Sequence, residues 1–304
     1  MRLRTLLTAA AAACGVFYLI TTFPGTGIDL AQVNGGWLSL AFVVAVLSHG
    51  AAAMCLIGFV PERLPFGRVV VAQLAGSFVK AVTPTALGGV ALTTRFLQKA
   101  GVPSAQALAS VAVSQLAGAI CRVLLLVTFG SLSGFAWLRS LGQSPVLRIG
   151  LPAAVLLVLG VTAVPLSRRW VVRRAREFLA GVGPRLLELL RRPLGPALGF
   201  AGYLLVTAGF VGCLDASLRA FGAGVGIVTV TVVYLTAHAV GSAVPTPGGV
   251  GAMEAALLGA LLTLTHVSVA VATPAVLLYR LLMFWLPVLP GWLSFGYLQR
   301  KGAV

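Results

Sequence analysis

Four ionisable residues lie where an apolar chain has least use for them. Arg95, Arg122, Glu254 and Arg280 all fall inside hydrophobic segments, and the two pairs are similarly spaced: Arg95 precedes Arg122 by 27 residues and Glu254 precedes Arg280 by 26. A charge at the centre of a bilayer costs about 2.5 to 3.5 kcal/mol on insertion scales, so such residues are by default candidates for ion pairing, substrate binding or proton relay. Each pair follows a break in its segment. "PTALGGVALTTRFL" (84 to 97) aligns with "PTPGGVGAMEAALL" (245 to 258): Pro-Thr, two adjacent glycines within one residue of register, then a charge.

Proline removes a backbone donor and glycine admits dihedrals that other residues avoid, so each motif stops one helix and allows another to start. Pro84, Thr85, Pro245, Thr246 and Pro247 are the predicted helix breakers. Gly88, Gly89, Gly248, Gly249 and Gly251 are the predicted close-approach positions, whose N–H groups at a new helix start attract anions. Together with Arg95, Arg122, Glu254 and Arg280 they form the predicted substrate-binding set. An Arg95–Glu254 ion pair between the two copies is expected, flanked by Arg122 and Arg280; displacement of the carboxylate by an anionic headgroup would make it a switch. The bland alternative is a set of buried ion pairs that only fixes helix register.

The elements that position these residues follow from composition. The chain of 304 residues is 59% hydrophobic and 9% charged, with a mean hydropathy of +1.02, which identifies an all-α polytopic membrane protein and leaves no stretch polar enough for a soluble domain. Apolar runs at 5 to 23, 37 to 60, 104 to 130, 148 to 166, 195 to 216 and 267 to 298 give about six full spans. Regions 69 to 98 and 225 to 262 are split by the two motifs, giving two re-entrant hairpins or pairs of short crossings. The unit from 37 to 130 recurs from 195 to 298 and, with an odd number of crossings between their starts, the copies are inverted. Inverted repeats with broken helices place a site near the bilayer midplane, between the halves.

The 22 Lys and Arg against 6 Asp and Glu fit loops facing an anionic leaflet, and nucleic acid is disfavoured as a partner in so apolar a chain. Fifteen of these cations fall on one side and three on the other, which predicts both termini in the cytoplasm. Residues 167 to 193 form a basic cytoplasmic connector, read equally as an interfacial helix or a solvated loop. The N-terminal run reads as an uncleaved anchor. Cys14, Cys55, Cys121 and Cys213 have no metal-ligand spacing and read as buried small residues. His49, His238 and His266 read as structural, as do Tyr234 and Tyr279; Lys80 is open between snorkelling and capping the first break. No catalytic triad, metal cluster or nucleotide loop is present, so neither enzyme activity nor a cofactor is expected.

The two motifs, with an arginine in the long helix after each, resemble the transmembrane region of the lysylphosphatidylglycerol synthase and flippase family, which includes stand-alone flippase-like membrane proteins. The resemblance extends over about residues 5 to 298; Pro245, Pro247, Gly248, Gly249, Gly251 and Glu254 carry its most specific element, and Pro84, Gly88, Gly89 and Arg95 a weaker one. It implies movement of a phospholipid or lipid-linked headgroup between leaflets of a bacterial cell membrane, with anionic membrane lipids as partners. Full-length synthases add a soluble aminoacyl-transfer domain after this region, so the chain ending "GYLQRKGAV" is expected not to aminoacylate lipid by itself. The rival expectations are a membrane scaffold for a separately encoded envelope-lipid or glycan enzyme, and a small-solute permease.

Overall fold

The computed structural model describes residues 33–62, 64–83, 87–134, 193–243 and 247–304. Among these there is no strand. The first half supplies α1 (Gly35–Ile57), α2 (Phe66–Val82), α3 (Leu87–Lys99) and α4 (Ser104–Leu132). The second supplies α5 (Leu194–Ala220), α6 (Ile227–Ala243), a 3₁₀ turn (Pro247–Gly249), α7 (Ala252–Leu264), α8 (Val269–Arg280), a π-helical segment (Leu281–Trp285) and α9 (Val288–Arg300). The protein is thus a helical, multi-pass membrane protein: Gly35–Ile57, Ser104–Leu132, Leu194–Ala220 and Val269–Arg300 are each long and apolar enough to cross a bilayer. The spans expected at 5 to 23 and 148 to 166, and the basic connector up to residue 192, lie outside the described residues.

The short helices match between halves. α2 and α6 have 17 residues each, and α3 and α7 have 13 each. At 1.5 Å per residue a 13-residue helix is about 20 Å long, too short for a hydrocarbon core about 30 Å thick. α3 and α7 therefore cannot cross alone, and each packs against the short helix preceding it.

α1 and α5, which open the two halves, pack antiparallel. The N–H of Asn34, at the start of α1, donates to the carbonyl of Ala220, at the end of α5. At the opposite end Gly58 meets Gly195 and Gly199 so closely that a Cβ on Gly58 would lie 2.2 Å from the Gly199 nitrogen. Small residues let helix backbones approach in lipid, where apolar burial alone does not drive association. The closing helices cross over: α9 packs on α2 of the first half, and α4 packs on α6 of the second. Leu47, Leu116, Val123, Leu124 and Leu205 leave apolar side chains exposed on the outside of these long helices, as a lipid-facing surface requires.

Candidate functional site

The second break is built around an arginine. Gly248, Gly249 and Gly251 all have positive φ, and Gly248 (φ 60°, ψ 12°) occupies the left-handed region, where a side chain is strained. Gly248 is also the one position here where a Cβ would collide with an aromatic ring, 2.1 Å from Phe284 Cζ. α7 begins directly after the turn, and Glu254 closes its N-terminus: Oε2 accepts from the Gly251 N–H at 2.8 Å. The other carboxylate oxygen, Oε1, accepts from Nε of Arg280 at 2.7 Å. Arg280 Nη2 also donates to the Gly248 carbonyl at 3.3 Å, and its guanidinium lies 4.4 Å from the centroid of the Phe284 ring. One buried guanidinium therefore joins α8, the turn and the start of α7. Glu254 and Arg280 are 8% and 6% exposed, so neither charge is left unpaired in a poorly solvated place.

The chain after Arg280 widens into a π turn, with the Leu286 N–H donating to the Leu281 carbonyl. Pro287 supplies the reason: its ring would clash with the carbonyl four residues back and it has no N–H to offer. Phe284 lies in this widened turn, which carries its ring to both Gly248 and Arg280.

The first break is built differently. α2 ends with the Thr83 N–H on the Val79 carbonyl, and α3 begins at Leu87. Gly88 lies against the Thr83 side chain, and the alkyl stem of Lys80 lies over Gly89, where a Cβ would be 2.5 Å from Lys80 Cε. No carboxylate takes part among the described residues. The two breaks come together: the 3₁₀ turn contacts α2, and both border one cavity of about 730 Å³. Lys80 and Gly89 reach it from the first break, Gly248, Gly249 and Arg280 from the second, and Arg122 from α4. Among the described residues no Asp or Glu lines it.

These positions correct the sequence-based pairing. Glu254 pairs with Arg280 of its own half and does not reach Arg95, which is exposed on α3 and absent from the cavity wall. Helical geometry explains the outcome. Arg95 lies two turns into α3 and points away, whereas Glu254 is at the third position of α7, where its carboxylate turns back to the helix start. Glu254 itself lies behind Arg280 and does not line the cavity. Gly88 and Gly251 shape the breaks beside it. Pro84, Thr85, Pro245 and Thr246 lie outside the described residues, and Pro247 opens the 3₁₀ turn.

Sequence reasoning undervalued the polar stripe facing the cavity. Gln73, Ser77 and Lys80 are four and three residues apart on α2, and Gln115 and Arg122 are seven apart on α4, so each set lies on one helix face. That spacing was legible in the sequence. What was not legible is the cross-half contact in which Tyr203 of α5 meets Ser114 of α4, whose hydroxyl donates to the Cys55 carbonyl at 3.1 Å. His49 and His238 also border the cavity; His49 Nδ1 is 2.8 Å from the Ala45 carbonyl and His238 stacks on Tyr234 at 5.8 Å.

Comparison with known families matches residues 6–291 to the lysylphosphatidylglycerol synthase TM region, nearly the whole chain. The chain belongs to this family. No curated protein matches it. In this member of the family the glycine-rich break and Arg280, held from behind by Glu254, form one side of the cavity, and Lys80 and Arg122 form a side without a carboxylate among the described residues.

Proposed function

We propose that this membrane protein carries anionic or zwitterionic lipid headgroups between leaflets, flippase-like, with the headgroup in the cavity and the acyl chains remaining in the bilayer. The observation carrying this reading is the cavity of about 730 Å³, bordered by both helix breaks and by three cationic side chains, in a protein whose outer surface is apolar. That volume suits a headgroup-sized ligand. Irregular backbone at membrane depth is tolerated where it is buried in protein or lines a wet cavity, and both breaks meet this condition. The antiparallel α1 and α5, the matched 17- and 13-residue helices and the crossed closing helices support reading the halves as inverted repeats that rock about the cavity. The protein acts without catalysis in this reading, in a bacterial cell membrane with both termini in the cytoplasm.

Purified protein reconstituted into liposomes, with headgroup-labelled lipids in one leaflet, tests the proposal. Accelerated leaflet exchange of at least one anionic or zwitterionic lipid is expected. No acceleration for any of them, beside an active control scramblase, sinks it.

A further inference from the structure

The cavity carries more positive charge than its own residues can neutralise. Glu254 uses one oxygen on Arg280 and the other on the Gly251 N–H, so the carboxylate that backs the cavity wall is committed. Lys80 and Arg122 have neither a carboxylate nor a hydrogen-bond acceptor among the described residues, although both border the cavity. Of the five N–H donors of a guanidinium, Arg280 commits two, to Glu254 and to the Gly248 carbonyl. The wall therefore presents two uncompensated cations and a third, neutralised one with donors to spare.

We infer that the headgroup taken by this cavity ends in a phosphate and bears no amine: a lipid phosphomonoester or diphosphate held between Lys80 and Arg122, with Arg280 as a further donor. The inference rests on reading the cavity as a headgroup site, and narrows it. Charge matching decides between ligand classes. A phosphomonoester carries about −1.5 to −2 at neutral pH with three strong acceptor oxygens, enough to balance both cations, whereas a phosphodiester carries a single charge. An aminoacylated or choline-type headgroup adds a cation that would face Lys80 and Arg122 with no carboxylate among the described lining residues to receive it. Lys80 is held at the wall by the missing Cβ of Gly89, which gives its stem room to lie across the break. It thus lies beside the start of α3, whose N–H groups favour the same charge.

Native mass spectrometry of the detergent-purified protein, titrated with phosphatidate, phosphatidylglycerol and lysylphosphatidylglycerol, reads this selectivity directly. Phosphatidate is expected to bind at least about tenfold more tightly than either, since a charge-assisted hydrogen bond is worth that much or more. Lys80→Gln and Arg122→Gln should each remove about tenfold of the phosphatidate affinity, and Lys80→Arg should retain it. Lysylphosphatidylglycerol binding as tightly as phosphatidate overturns the inference, and so does a Lys80→Gln/Arg122→Gln double variant with undiminished phosphatidate affinity. Inorganic phosphate matching phosphatidate would overturn the assignment to a lipid. Because binding is measured apart from leaflet exchange, a protein that selects phosphatidate but moves no lipid refutes the transport reading alone, and one that moves lipid without this preference refutes this inference alone.

Discussion

The two halves solve the same problem, a helix broken inside an apolar layer, with opposite electrostatics. In the second half an acid and a base meet across helices, and Glu254, Arg280 and the Gly248 carbonyl tie the turn shut. In the first half the equivalent break has no acid among the described residues, and Lys80 and Arg122 face the cavity without a protein partner. The difference separates two jobs that intramembrane charges do. A charge paired on both sides fixes geometry, while a charge left facing a cavity is available to a ligand.

The comparison breaks most visibly at the carboxylate. Glu254→Ala strands the buried Arg280 guanidinium and should lower stability by about 3 to 5 kcal/mol, read as a fall in unfolding midpoint in detergent. Lys80→Ala, which removes a cation that pairs with nothing described, should leave the midpoint unchanged or raise it. Equal losses in the two variants would erase the distinction between the halves.

A smaller effect compares the glycines. Gly248→Ala forces a left-handed backbone onto a side chain and drives a methyl into the Phe284 ring; a loss of about 1 to 3 kcal/mol follows from strain of this kind. Gly89→Ala, although buried, meets only the flexible stem of Lys80, so it should cost less stability than Gly248→Ala, about 1 kcal/mol or less, partly offset by the better helix propensity of alanine. Its signature is instead a weaker hold on phosphatidate, as the lysine is displaced. If Gly89→Ala proves the more damaging to stability, the first break is as rigidly built as the second.

The smallest expected effect sharpens the comparison. Arg95→Ala, at an exposed site on α3 outside the cavity, should shift stability by less than about 0.5 kcal/mol and leave lipid binding unaltered. A large loss on either readout would return Arg95 to the site and restore the cross-half pairing that its spacing suggested.

Much of the architecture was legible in the residues. Apolar runs marked the four described spans, and each pair of glycines marked a real break, because a spanning helix must be continuous, apolar and free of such residues to satisfy its own backbone. The site was legible only in outline. Aligning the motifs placed Arg95 opposite Glu254, but matching positions in two repeats share an environment only if the local backbone also matches. Here the second motif has a glycine at 251 with φ 82°, which places Glu254 at the capping position of α7, while Gly88, Gly89 and Val90 of the first motif already lie inside α3.

By itself, then, the sequence determined that the protein lives in a membrane, where its helices break, and which charges must find an accommodation there, since hydropathy, proline and glycine act locally and independently of the rest of the chain. Only the tertiary structure decided which accommodation each charge found. Partners such as Arg280 and Glu254 are brought within hydrogen-bonding distance by the packing of α7 on α8, and the Lys80 and Arg122 side chains share a cavity because helices from both halves enclose it. Ion pairing falls off over a few ångströms, a distance that residue spacing along the chain does not specify.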